Sequence, residues 1–297
     1  MADIRSDASE VLHYDIPDHP VFFRKNYILA QCIFDDISIH WHDEVEFVYV
    51  CSGSIRYQLN GYMVRMKAGE GIFVNSRQLH LIVNDHSNCE LYCLIFHPTI
   101  LCSSNHVAKQ FVAPVIDNEK MPYLLLDENV SWHKEIFENI ASIEKVFSCD
   151  AGELKVIKYL FDIWTALYEN MEKSSDNEYP PNYDLALVKA MITFVQDNYH
   201  RKIELQEICT AGKVGKTKGI SLLDQYLNKT PMEYVCNYRI EKSCCLLKKT
   251  DKTITQIAYE TGFSDGSYFS KMFRKRMGMS PQNYRKSIER VKEDSKE

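Results

Sequence analysis

The chain has 297 residues, 45% of them hydrophobic and 12% aromatic, with a formal charge of −6. That much apolar material excludes a disordered chain, and at about 100–200 residues per domain the length fits two packed domains. No apolar run reaches the ~18–20 residues of a membrane-spanning helix, and nothing at the start reads as a signal peptide. The ten cysteines are scattered without a CxxC pair, which fits thiols in a reducing cytosol, and so a cytoplasmic protein, better than a disulfide framework.

Residues 20–100 read as strands. Phe47-Val48-Tyr49-Val50, Ile55-Arg56-Tyr57-Gln58-Leu59 and Leu91-Tyr92-Cys93-Leu94-Ile95-Phe96 are short β-branched or aromatic runs, and Asn60-Gly61 has the composition of a two-residue hairpin turn. Ser52-Gly53 and Ala68-Gly69-Glu70-Gly71 punctuate the same region. Short strands at this spacing predict an all-β barrel or sandwich over 1–130. From about residue 131 the period lengthens. Ile136, Ile140, Ile143 and Val146 to Phe147 form one apolar stripe; Leu154, Ile157, Phe161, Trp164 and Leu167 to Tyr168 form another. Two amphipathic helices over 131–173 are expected to mediate dimerisation, with packing on the barrel as the alternative. The polar stretch 174–183, with Pro180-Pro181, reads as a linker.

The rest is helical, beginning with a stripe of Leu185, Val188, Ile192 and Val195, and ending in a charged tail at 287–297 expected to fray. Charge divides with the domains: 184–297 holds 21 Lys and Arg against 14 Asp and Glu, and the residues before it 14 against 27. The C-terminal part is therefore the better partner for a polyanion. It also repeats at an offset of about fifty residues. Leu205, Ile208 and Cys209 correspond to Ile254, Ile257 and Ala258; Leu222-Leu223 to Met272-Phe273; Pro231 to Pro281; Tyr234 to Tyr284. Each copy reads as a short helix, a turn holding a glycine (Gly212, Gly262), and a second helix, the order of a helix-turn-helix.

The second copy, Ile257-Ala258…Gly262-Phe263-Ser264-Asp265-Gly266-Ser267-Tyr268-Phe269-Ser270-Lys271-Met272-Phe273…Gly278-Met279-Ser280-Pro281…Tyr284, resembles the signature of the AraC/XylS transcription regulators. The resemblance spans about a hundred residues. It implies two helix-turn-helices joined by a long helix, here 232–247, with the second helix of each entering successive major grooves of promoter DNA. The two apolar stripes at 131–173 point to a homodimer, and a partner in RNA polymerase is expected if the regulator is an activator. Helical geometry independently sorts the faces. Phe269, Met272 and Phe273 should face the core, leaving Gly266, Ser267, Ser270, Lys271 and Arg274 outward to meet bases or phosphates. In the first copy Leu222, Leu223 and Tyr226 face inward, which exposes Lys216, Thr217, Ile220 and Ser221. Gly215 at the first N-cap and Gly219 inside that helix depart from the pattern and suggest a looser first reader.

Upstream, His40-Trp41-His42-Asp43-Glu44-Val45-Glu46 followed by Gly53, with Gly69, His80 and Asn84 beyond, is similar to the two motifs of the cupin barrel. Phe34, Asn75 and Arg77 depart from them. On a strand, residues two or four apart share a face, so His40, His42 and Glu46 could meet His80 inside the barrel. The resemblance implies a set of three histidines and one glutamate of the kind that cupin enzymes use for a divalent metal. The leading reading of these residues is nonetheless a polar pocket for a small organic effector, a carbohydrate by family likeness, with the metal site and a structural remnant as the alternatives. The resulting expectation is a multidomain, effector-controlled transcription regulator acting as an activator. A metal-dependent cupin enzyme and a metal or redox sensor with a DNA-binding domain are its rivals.

Overall fold

In the computed structural model, residues 3–4, 9–12, 14, 19–28, 39–83, 88–171 and 184–294 are described. The expected linker at 174–183, and Phe34 and Asn84 of the barrel motifs, lie outside them. Two compact units divide at Tyr183/Asp184.

The first unit is built on antiparallel strands. β1 (Asp3–Ile4) and β2 (Glu10–Val11) pair with each other, and β3 (Val21–Ile28), β4 (Val45–Leu59), β5 (Tyr62–Lys67), β6 (Glu70–Val74), β7 (His80–Val83), β8 (Cys89–Phe96) and β9 (Tyr123–Asp127) form the main sheet. Its order is β3-β8-β4-β6-β9, with β5 and β7 both on β4. The two strands expected at 47–50 and 55–59 are one fifteen-residue strand. Ser52-Gly53 does not end it: the β4–β8 register slips by one residue between Val50 and Ser52, and Gly53 takes a φ of +75°. A Cβ there would stand 1.9 Å from the Asn88 carbonyl oxygen, so only glycine fits the kink. The Asn60-Gly61 turn is as expected, with positive φ at both residues joining β4 to β5.

The slip reverses which residues point inward. Before it, Val48 and Val50 are in the interior cluster; after it, Ile55, Tyr57 and Leu59 are, alongside Ile72, Val74, Leu91, Cys93 and Ile95. The opposite face, with Phe47, Phe73, Leu94 and Phe96, packs against helices. After a 3-10 turn (Pro98–Leu101) the chain makes short helical turns including α1 (Asn105–Val107) and α2 (Ala113–Ile116). Then follow α3 (Ser131–Val146) and α4 (Gly152–Asn170). α3 buries Ile136, Ile140 and Ile143 as the period indicated, and Phe137 with them, while Val146 and Phe147 at the end of the expected stripe are half-buried. α4 corrects the sequence reading, because its buried stripe is Val156, Leu160, Ile163, Trp164 and Leu167. Leu154 of the expected stripe is 71% exposed, and Ile157 and Phe161 are half-buried.

The second unit is all-helical: α5 (Leu185–Asn198), α6 (Leu205–Ala211), α7 (Lys216–Leu227), α8 (Pro231–Lys249), α9 (Ile254–Glu260), α10 (Gly266–Met277) and α11 (Pro281–Asp294). α8 is the expected connecting helix; Thr230 and Glu233 close a capping box at its start, with Pro231 in the first turn where its missing N–H costs nothing. α11 runs through most of the segment expected to fray.

Candidate functional site

Two places carry chemistry. In the second unit, α6–α7 and α9–α10 form the two helix-turn-helices. Lys216, Thr217, Ile220 and Ser221 are exposed on α7, and Ser267, Lys271 and Arg274 on α10. Gly266 and Ser270 are half-buried, and the Ser270 hydroxyl donates back to the Gly266 carbonyl at 2.9 Å. Phe269 and Phe273 are buried as expected, but Met272 is only half-buried, a correction to its assignment to the core. One outward side chain escaped the sequence reading. Tyr268 is 54% exposed, and its spacing of three from Lys271 on a helix was the signal that could have found it. Asp265 caps α10, its carboxylate accepting from the Tyr268 N–H.

In the first unit, four residues from two stretches of the chain converge. His40 and His42 are not on a common strand, contrary to the argument from two-residue spacing. His40 pairs with His80 in an isolated bridge, and the chain bends at Asp43-Glu44 before β4 begins at Val45. The convergence is nonetheless real: the ligand-capable atoms of His40, His42 and His80 lie within 4.8 Å of one another, and all three residues are buried. Glu46, 3% exposed, faces them with Oε2, 3.0 Å from His80 Nε2 and 3.4 Å from His42 Nε2. Its other oxygen accepts from the Tyr57 hydroxyl at 3.2 Å and the Cys93 thiol at 3.8 Å.

The tautomers follow from the backbone. His42 Nδ1 is 3.1 Å from the Glu44 carbonyl and His80 Nδ1 is 2.8 Å from that of Gln78. A carbonyl only accepts, so each Nδ1 carries the hydrogen, and the Nε2 of the neutral ring presents a lone pair. Both Nε2 atoms are buried without a hydrogen-bond partner; their approach to Glu46 is a charge contact rather than an aligned bond. Burial alone would favour neutral His42, but Glu46, with Glu44 and Glu10, outweighs it and raises its pKa. Burial alone would likewise raise Glu46; His80 and His42 reverse this and hold it well below the usual carboxylate range. Tyr57 and Cys93 are pushed up, by burial first and then by the Glu46 charge, and so stay protonated.

Three imidazoles and a carboxylate, two of the rings anchored through Nδ1 with unpartnered Nε2 atoms, fit a divalent cation of the zinc, iron, manganese or nickel kind. Contacts of 3.0–3.4 Å between donors are also the spacing of neighbouring ligands about a metal at ~2.1 Å. His13 and His86 lie outside the described residues. Neither His97, whose Nδ1 lies 2.7 Å from the Thr99 hydroxyl, nor His133, whose Nδ1 accepts from the Asp127 N–H, joins the cluster.

Comparison with known proteins places both sites in a known frame. Residues 214–287 match a helix-turn-helix domain and residues 35–96 a cupin domain. The chain is 31% identical over 257 residues to the HTH-type transcriptional regulator YdeC of Bacillus subtilis (strain 168), covering 84% of this chain and 86% of that one. The chain belongs to the AraC/XylS family of transcription regulators. Within that family it is also 24% identical to the melibiose operon regulatory protein of Escherichia coli (strain K12), over 83% of each chain. Among solved structures, ToxT from Vibrio cholerae O395 aligns with 91% of this chain and 96% of its own, at 16% identity and a TM-score of 0.42. As an AraC/XylS regulator with a cupin barrel, the chain is a DNA-binding transcription regulator, and no helix among its described residues is long and apolar enough to cross a membrane.

Proposed function

We propose that this regulator binds promoter DNA sequence-specifically, as an activator, under control of an effector held at His40, His42, Glu46 and His80. One observation carries the choice of effector: three buried imidazoles converge within 4.8 Å, and the Nε2 atoms of His42 and His80, without an aligned hydrogen bond, stand 3.4 and 3.0 Å from the Glu46 carboxylate. Facing acceptors in a dry interior repel unless a cation or a proton lies between them. A divalent metal answers that need with all four residues as ligands, and supplies a charge that neighbouring donors can sense. Tyr57 and Cys93 orient Glu46 from behind. On α10, Lys271 and Arg274 read bases, Ser267 and Ser270 support them, and Gly266 lets the backbone approach DNA; Lys216, Thr217, Ile220 and Ser221 serve the first half-site on α7.

Control then requires that the loaded barrel favour one DNA-binding state over another, since a ligand with equal affinity for both shifts nothing. The exposed Leu154, with Ile157 and Phe161 beside it, supports a homodimer formed through α4, in which Leu154→Glu lowers the sedimentation-derived mass.

Metal analysis of the purified chain, followed by DNA binding with and without Mn²⁺, Ni²⁺ or Zn²⁺, tests the reading. Stoichiometric metal, lost in His42→Ala, and DNA affinity that tracks loading support it. A metal-free barrel stabilised by a sugar favours the second reading, an organic carbohydrate effector, for which the sugar-operon relative is the supporting observation. Turnover of a small substrate by the loaded barrel would instead support a cupin enzyme carrying a DNA-binding domain.

A further inference from the structure

The segment ahead of the barrel reaches the histidine cluster. Glu10, on β2, places Oε2 3.3 Å from His40 Nε2, and its side chain is only 13% exposed. Its backbone N–H donates to the Trp41 carbonyl at 2.8 Å, and Ser9 pairs with Trp41 in a parallel bridge. Four residues on, the Tyr14 hydroxyl donates to the Glu44 carboxylate. The segment is thus fastened at three points to the stretch that carries His40 and His42, and it brings a second carboxylate to a cluster that already holds Glu46.

We propose that Glu10 is a further ligand of the cation held by His40, His42, His80 and Glu46. The inference rests on the metal reading above. Its geometry repeats that of Glu46: the 3.3 Å between Glu10 Oε2 and His40 Nε2 falls within the separations of Glu46 from His42 and His80, the spacing of adjacent donors around one ion. Charge points the same way. The carboxylates of Glu10 and Glu46 together match the charge of one divalent cation, whereas one carboxylate would leave the loaded site positive. Tyr14 has a different part. It touches Glu44, which is not a ligand, and so holds the segment without contributing a donor.

The rival explanation of the same contact is a simple ion pair between Glu10 and a protonated His40. Metal titration separates the two. Mn²⁺ and Zn²⁺ are titrated by calorimetry into the full chain, its Glu10→Gln variant and its Tyr14→Phe variant, all first shown folded by circular dichroism. Chymotrypsin cleavage after Leu12 and Tyr14 is followed with and without metal, and Co²⁺ absorption reports coordination number. The proposal expects at least tenfold weaker metal binding in Glu10→Gln, a changed Co²⁺ spectrum, and metal-dependent protection from cleavage after Leu12 that is lost in that variant. Tyr14→Phe should keep its metal affinity to within a few-fold. If the unaltered chain binds metal and Glu10→Gln matches it in affinity, spectrum and protection, the inference is overturned while the metal reading stands. If the unaltered chain takes up no metal, both fall.

Discussion

The two helix-turn-helices follow the same chain path with opposite packing choices. In the second, a small residue on α9, Ala258, and a large one on α10, Phe269, are both fully buried, the Phe269 ring tilted to Phe263 and edge-on to Phe273. In the first, the sizes are exchanged. Gly219 stands on α7 where Phe269 stands on α10, and Cys209 takes the place of Ala258; a Cβ on Gly219 would meet the Cys209 sulfur at 2.6 Å. Gly219 is thus a fitted contact and not a gap in the helix. The sequence argument for a looser first reader loses one of its two supports and keeps the uncapped Gly215. The turns are exchanged as well. The left-handed residue of the turn is Gly262 in the second helix-turn-helix, but Lys213, one place beyond the expected Gly212, in the first. Gly212 is needed for closeness instead, since its Cβ would lie 2.6 Å from Met191. What recurs between the copies is the hydrogen bond that closes the turn, Val214 N–H to Cys209 and Phe263 N–H to Ala258.

The largest test of that contrast is at the turns. Gly262→Ala should destabilise the chain by about 3 kcal/mol, because a left-handed alanine must also meet the Tyr199 carbonyl at 2.1 Å. Lys213→Gly should gain about 1 kcal/mol by relieving the same backbone conformation. Urea unfolding reads both, and equal effects of like sign would break the comparison. Next come the outward faces. Lys271→Ala and Arg274→Ala should each cost about 1–3 kcal/mol of specific DNA binding if they read bases, while Lys216→Ala weakens target and random DNA alike. Normal target binding by both α10 variants would mean that the helix presents another face.

A smaller effect tests the exchanged sizes directly. Gly219→Ala alone should cost about 1 kcal/mol through overpacking, yet in a Cys209→Ala background it should stabilise by about 1 kcal/mol through helix propensity. A double-mutant cycle without that reversal would show the two residues to be independent. The smallest is a pH effect. The α6 start uses Glu207, whose carboxylate accepts from the Glu204 N–H at 2.8 Å; α9 uses Thr253 and Gln256, which do not titrate. The Glu204 N–H, then Arg201, lowers the Glu207 pKa. Its stabilisation is in place above the ordinary glutamate value of 4.5 and is lost as pH falls through the lowered folded-state value. Glu207→Gln should flatten that part of the acid-unfolding curve.

The helical half was legible because its information is local: apolar spacing, a Ser-Pro pair and a repeated order of anchors sit within a few turns of one another. Met272 was misplaced because a three-residue step from Phe269 puts it at the edge of the buried arc, where period alone does not decide. The barrel was legible only in part. His40, His42, Glu46 and His80 were found by their spacing, although the reason given, a shared strand face, was not the one the structure uses. Tyr57 and Cys93 were missed, and Tyr57 instructively so. Eleven residues from Glu46, it would point to the opposite side of a regular strand, and only the slip between Val50 and Ser52 turns it toward the same carboxylate. Glu10 had no signal at all, since a two-residue strand has no period to read.

That slip gives β4 something like a reading frame. Its first half is read on even numbers and its second half on odd ones, and the single extra residue by Gly53 is the punctuation between them. Removing it would leave every residue's chemistry unchanged and still misspell the barrel, turning Tyr57 and Leu59 away from Glu46 and Arg56 and Gln58 toward it. In this strand, a deletion of one ordinary residue would do more damage than most substitutions of a functional one.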